Sequence, residues 1–114
     1  MTPAKYNMIC SQGATFSKRL TWTIDDVAVD LTGYTARMQA KASYKNTCDP
    51  ILNITTENGG ITLDSLGNID LLITSDVTEG FVAREYVYDL ELDSGSEVYR
   101  VVEGKFIVTP EVTT

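Results

Sequence analysis

The chain has 114 residues, 43% hydrophobic and 22% charged, which suits one globular domain with a real core. Sixteen acidic residues against nine Lys and Arg leave a net charge of −7, a balance that repels a phosphate backbone and speaks against nucleic-acid binding. Histidine is absent, which removes the commonest general base and every Ser-His-Asp or Cys-His arrangement.

The apolar period is two along most of the chain, the mark of half-buried strands. In chain order, strands are predicted over residues 5–10, 14–23, 33–42, 50–55, 61–63, 68–74, 84–92 and 97–109. In the second, Phe16, Leu20 and Trp22 share a parity that only Lys18 interrupts. In the third, Tyr34, Ala36, Met38 and Ala40 alternate with polar residues. In the seventh, Tyr86, Tyr88, Leu90 and Leu92 alternate with Glu85, Val87, Asp89 and Glu91.

Turn signals separate these runs. Asp25-Asp26 and Thr32-Gly33 bracket a short connection, while Asn58-Gly59-Gly60 and Leu66-Gly67-Asn68 supply residues that tolerate positive φ. Asp93-Ser94-Gly95-Ser96 reads as a hairpin tip. Residues 75–81 predict one short helical turn crossing between sheets, with Ser75 and Asp76 as N-caps and Glu79 completing a capping box. Within the last strand, Val98, Arg100 and Val102 share the parity of Phe106 and Val108. Glu103-Gly104 marks a break there, a bulge or the close approach of another backbone. Pro110 ends the ladder, and 110–114 is expected to be a loose tail. The sum is a single all-β domain over 1–114, a sandwich of about seven to nine antiparallel strands.

No cofactor motif, metal-ligand spacing or catalytic set is present in the sequence, so no cofactor, metal or enzymatic activity is expected. The acids of the Asp25, Asp26 and Asp30 group and of the Asp89, Glu91, Asp93 and Glu97 group read as a solvated face, with glycosidase or Ca²⁺ roles as the alternatives. Cys10 and Cys48 read as thiols, their pairing left open. Asn53-Ile54-Thr55 fits a glycosylation pattern that has no consequence without a secretory signal, and the N-terminal residues offer none. No run is apolar enough to form a membrane-spanning helix.

Function is therefore expected at the surface. The first and last strands are the expected free edges, which a neighbouring strand can extend. Four side chains are candidates for a partner interface. Trp22 favours the core, with a half-exposed contact role as the alternative; Lys18 is a charge on an inward face; Tyr44 and Tyr99 lie off the clear inward parity or in loops. Tyr86 and Tyr88 are expected in the core, where a buried tyrosine can fix a corner through its hydroxyl.

Three stretches carry a family resemblance. They are Tyr6–Phe16 with Leu20-Thr-Trp22; Val29–Gln39 with Asn58–Leu63; and Tyr86–Leu92 with Val98-Tyr-Arg100, Glu103-Gly104 and Val108–Val112. Together these resemble the small immunoglobulin-like virion proteins of tailed bacteriophages, and are similar to the N-terminal domain of siphophage upper baseplate proteins. Lys18 departs from the apolar residue expected at its place. The resemblance implies an immunoglobulin-like sandwich and a non-enzymatic structural role in a tail, neck or baseplate. It implies assembly in the host cytoplasm, residence on the virion, and as partners other virion proteins and copies of itself. A head decoration protein and a carbohydrate- or receptor-binding module are the alternatives.

Overall fold

The computed structural model describes residues 3–45 and 49–112. Among them are eleven strands: β1 (Ala4–Lys5), β2 (Met8–Ser11), β3 (Phe16–Thr21), β4 (Thr23–Ile24), β5 (Val27–Ala28), β6 (Thr35–Lys41), β7 (Leu52–Thr55), β8 (Ile61–Leu63), β9 (Asn68–Ile73), β10 (Glu85–Asp93) and β11 (Val98–Thr109). One helical turn, α1 (Ser75–Thr78), joins β9 to β10.

Two sheets form. The larger runs β1-β11-β10-β6-β7, with β2 also on β11; the smaller runs β3-β9-β8; β4 and β5 make a separate ribbon. The two N-terminal strands β1 and β2 both pair parallel with the last strand, and every other pairing is antiparallel. The order β3-β9-β8 in the smaller sheet matches the B-E-D strands of an immunoglobulin-like domain, and β6-β10-β11 in the larger matches its C-F-G strands. The expected all-β sandwich is what the chain forms.

Period-two alternation builds the core. Tyr86, Tyr88, Leu90 and Leu92 of β10 are buried, as are Ala36, Met38 and Ala40 of β6, and they face Ile69, Leu71 and Ile73 of β9. Phe106 is fully buried, edge-on to Phe16 (5.8 Å) and Phe81 (6.2 Å). Burying such a side chain contributes about 2–3 kcal/mol, and each well-angled ring pair about 1 kcal/mol more. Tyr86 forms the anticipated corner, its hydroxyl donating to the Val82 carbonyl at 2.7 Å.

Several expectations are corrected. The first predicted strand is two strands, β1 and β2, split at Tyr6-Asn7. The chain crosses Gly104 there: a Cβ on Gly104 would lie 2.9 Å from the Tyr6 carbonyl carbon and 3.0 Å from Asn7 Oδ1. Gly104 thus admits a close backbone approach and makes no break, since β11 runs through it. The bulge lies elsewhere. Leu90 pairs with Val102 and Glu91 with Arg100, so Val101 is the extra residue. Val101 and Val102 are consequently both buried, and the inward parity flips before them. Val98 and Arg100 face solvent, whereas Tyr99 turns inward. Nor is β11 a free edge, because β10 covers one side and β1 and β2 the other.

The capping box is also absent. Thr74 caps α1 without a side-chain hydrogen bond, and Glu79 sits at the C-terminal end. The reason is Thr78, which is buried and donates to the Ala14 carbonyl at 2.8 Å, so tertiary anchoring sets the register of the turn. Cys10 is fully buried, which pushes its thiol pKa up; Cys48, and with it the pairing question, lies outside the described residues.

Candidate interaction surface

The connection from β3 to β6 builds one end of the sandwich. Ile24 and Val27 pair across two residues, Asp25 and Asp26, whose φ values are 51° and 64°. Both positive φ values are what a type I′ hairpin turn demands, and aspartate is among the residues that tolerate them. The result is a projecting ribbon where the period-two reading ends a strand at residue 23 and expects only a short connection between Asp25-Asp26 and Thr32-Gly33. The two-residue acidic insert between Ile24 and Val27 was the available signal.

Trp22 fixes the base of this ribbon. Its amide donates to the Gly67 carbonyl (2.8 Å), and its carbonyl accepts from the Val29 amide (3.1 Å). Gly67, at φ 78°, passes so close that a Cβ would sit 2.6 Å from the Trp22 carbonyl oxygen. The β8–β9 turn is thereby locked against the ribbon. The half-buried Trp22 ring contacts Tyr99 at 5.6 Å and Tyr34 at 6.5 Å, tying in the β10–β11 hairpin. The Tyr99 hydroxyl donates to Glu97 at 2.7 Å; this bond, aided by desolvation, raises the phenol's pKa.

The acids at this end shape its turns. Asp30 accepts from the Thr32 amide (2.9 Å) and hydroxyl (2.6 Å). Asp64 accepts from the amides of Leu66 (2.8 Å) and Asn68 (3.0 Å), and Asp93 from that of Gly95 (2.8 Å). Hydrogen bonds from Thr32 and Asn68 respectively hold the Asp30 and Asp64 carboxyls below the usual range. Residues 22–34, 64–67 and 93–98 together contain Asp25, Asp26, Asp30, Asp64, Asp93 and Glu97 and no Lys or Arg. The rest of the chain holds ten acids and nine bases, so this end carries six of the seven net negative charges.

Of the other acids, Asp70 on β9 of the smaller sheet pairs with Arg19 at 2.7 Å, and three form a charge ladder on the outer face of the larger sheet. Glu91 pairs with Arg37 at 2.8 Å, Asp89 with Arg100 at 3.3 Å, and Glu85 with Lys105 at 3.1 Å. Partial burial pushes the Asp89 carboxyl up, Glu91 adds to the rise, and Arg100 opposes it. No group of three or more His, Cys, Asp or Glu among the described residues is arranged to hold a metal ion.

Of the four candidate side chains, Trp22 and Tyr99 meet at the loop end; Lys18 and Tyr44 lie apart. Tyr44 is 80% exposed beyond the far end of β6 and lines a shallow recess of about 240 Å³ with Lys41, Asp89 and Arg100. Lys18 sits on β3 with its ammonium 5.1 Å from the Tyr6 ring centroid, in an open groove between β2 and β3. Because β3 is the edge of the smaller sheet, an inward-facing lysine there blunts pairing with a foreign strand. Periodicity alone missed that role, since it requires knowing which strand is the edge.

No family model and no curated protein sequence matches the chain. Among solved structures it is similar to the extracellular domain of the voltage-gated sodium channel beta4 subunit, a protein described as a parallel homodimer with a role in cell–cell adhesion. That likeness covers 98% of this chain and 97% of the other, at 11% identity and a TM-score of 0.47. The strand order establishes the fold on its own: an immunoglobulin-like β-sandwich with an acidic, aromatic-based loop end.

Proposed function

We propose that the chain is a structural component of a tailed-phage virion, an adaptor in the tail, neck or baseplate that binds neighbouring virion proteins and has no catalytic role. The observation that carries the reading is the loop end. There, three connections lock around Trp22, Tyr34 and Tyr99 and hold out an exposed ribbon, an arrangement suited to rigid docking. The sequence resemblance supplies the virion setting. The segments that carry it include the Asp30-capped turn into β6 and the inward tyrosines of β10.

Binding is assigned to loops in preference to sheet edges. Lys18 guards β3, and the edges at β7 and β8 are only four and three residues long. A carbohydrate platform fits less well, because the Trp22 ring is packed against two tyrosines instead of lying open beside polar groups. The test is quantitative mass spectrometry and antibody labelling of purified tailed particles that encode the chain. Stoichiometric copies labelling the tail, collar or baseplate support the reading. Labelling on the head moves the role to decoration, and absence from purified particles overturns it.

A further inference from the structure

We propose that the β4–β5 ribbon and the turns around its base form a docking surface for a basic, aliphatic-containing segment of another protein. Ile24 and Val27 stand directly opposite each other yet are 50% and 67% exposed, and Leu66 in the adjoining turn is 66% exposed. A two-stranded ribbon with an uncovered apolar pair has little stability of its own. This one is held out by the Trp22 hydrogen bonds at its base and by its type I′ turn.

Charge selects the occupant. The apolar pair is flanked by Asp25 and Asp26, and the segments that build this end hold six acids and no Lys or Arg, the neighbouring Arg19 and Arg37 being paired with Asp70 and Glu91. Anionic polymers are repelled, and the same end of a second copy is repelled by like charge. A segment bearing Lys or Arg beside aliphatic side chains satisfies both features, and the free edges of the ribbon can pair with it in extended form. The inference rests on the chain being a binding module, and is independent of where on a particle it sits.

The test uses the full chain and short peptides alternating lysine with valine, lysine with serine, or glutamate with valine. Trp22 is the sole tryptophan, so its fluorescence reports from the site itself. The Lys-Val peptide is expected to give a saturable change that weakens several-fold between about 50 and 200 mM salt. The Lys-Ser peptide binds about tenfold more weakly and the Glu-Val peptide not at all, with amide NMR shifts confined to residues 22–34, 64–67 and 93–98. Replacing Ile24→Thr with Val27→Thr keeps β-branching, and hence the ribbon, while reducing affinity about tenfold.

Equal binding of the two lysine peptides overturns the proposal, as does no change, or shifts centred elsewhere. Calcium chloride displacing the peptide with the same shifts makes the end a cation site and also overturns it. Failure here with copies still found on particles sinks the docking surface alone; peptide binding without particle incorporation sinks the virion reading alone.

Discussion

Gly104 and Tyr88 act on one atom, the Tyr6 carbonyl oxygen, and should therefore be energetically coupled. They stand opposite each other on β11 and β10, and the buried Tyr88 hydroxyl donates to that carbonyl at 2.6 Å. The space a Gly104 side chain would fill is taken by the same peptide group. In Gly104→Ala the new methyl displaces the Tyr6 backbone. Overpacking costs about 1–3 kcal/mol, offset by roughly 0.5–1 kcal/mol from the stiffer unfolded chain. The net loss is about 1–2 kcal/mol, or roughly 4–8 °C in Tm for a domain of this size. Tyr88→Phe removes one buried hydrogen bond, about 1–1.5 kcal/mol. The double variant should lose at least about 0.5 kcal/mol less than the sum, because once Tyr6 has moved the hydroxyl has no partner left to lose. Urea unfolding of the four proteins, followed by Trp22 fluorescence, measures the cycle. A neutral Gly104→Ala, or strict additivity, would refute the shared-carbonyl account.

Lys18→Val should increase self-association through β3 in sedimentation velocity, with the fold retained by circular dichroism; an unchanged distribution would show that the lysine does not protect the edge. Asp25→Asn with Asp26→Gly replaces two left-handed aspartates by the preferred type I′ pair and should stabilise by about 0.5–1 kcal/mol in thermal unfolding, whereas destabilisation would contradict the turn type. Carboxyl NMR titration should place Asp30, Asp64 and Asp70 below the unfolded carboxylate value and Asp89 above it. The first three stabilise the fold above that value, a contribution lost as pH falls through their lowered folded values. Asp89 works in reverse, its ionisation costing stability as pH rises from the unfolded value through its raised one. An Asp89 midpoint at or below that of Asp64 would disprove the assigned burial.

Strict alternation made the core strands legible: residues 86 to 92 and 34 to 40 are placed as period two predicts, because each strand has one wet and one dry face. What escaped depended on contacts distant in sequence. The bulge at Val101 turned Tyr99 from an apparent surface residue into a partner of Trp22, and nothing local to residues 97–103 marks the extra residue. Gly104 was visible as an irregularity, but only the path of residues 4–8 shows that its role is to admit a crossing backbone. Lys18 looked like an error in the inward pattern because edge status is a property of the assembled sheet. The loop end was half legible. The acids of residues 25–30 and 93–97 were conspicuous in the sequence, but their convergence with Asp64 depends on hydrogen bonds from Trp22 to Gly67 and from Leu31 to Asp64.

The most direct test of the functional account is a cryo-electron-microscopy reconstruction of intact tailed particles at side-chain resolution. The account predicts ordered copies of this sandwich on the tail, neck or baseplate, with Ile24, Val27 and the turns around Trp22 buried against a neighbouring virion protein. Copies whose loop end faces solvent while another surface makes the contacts would contradict it.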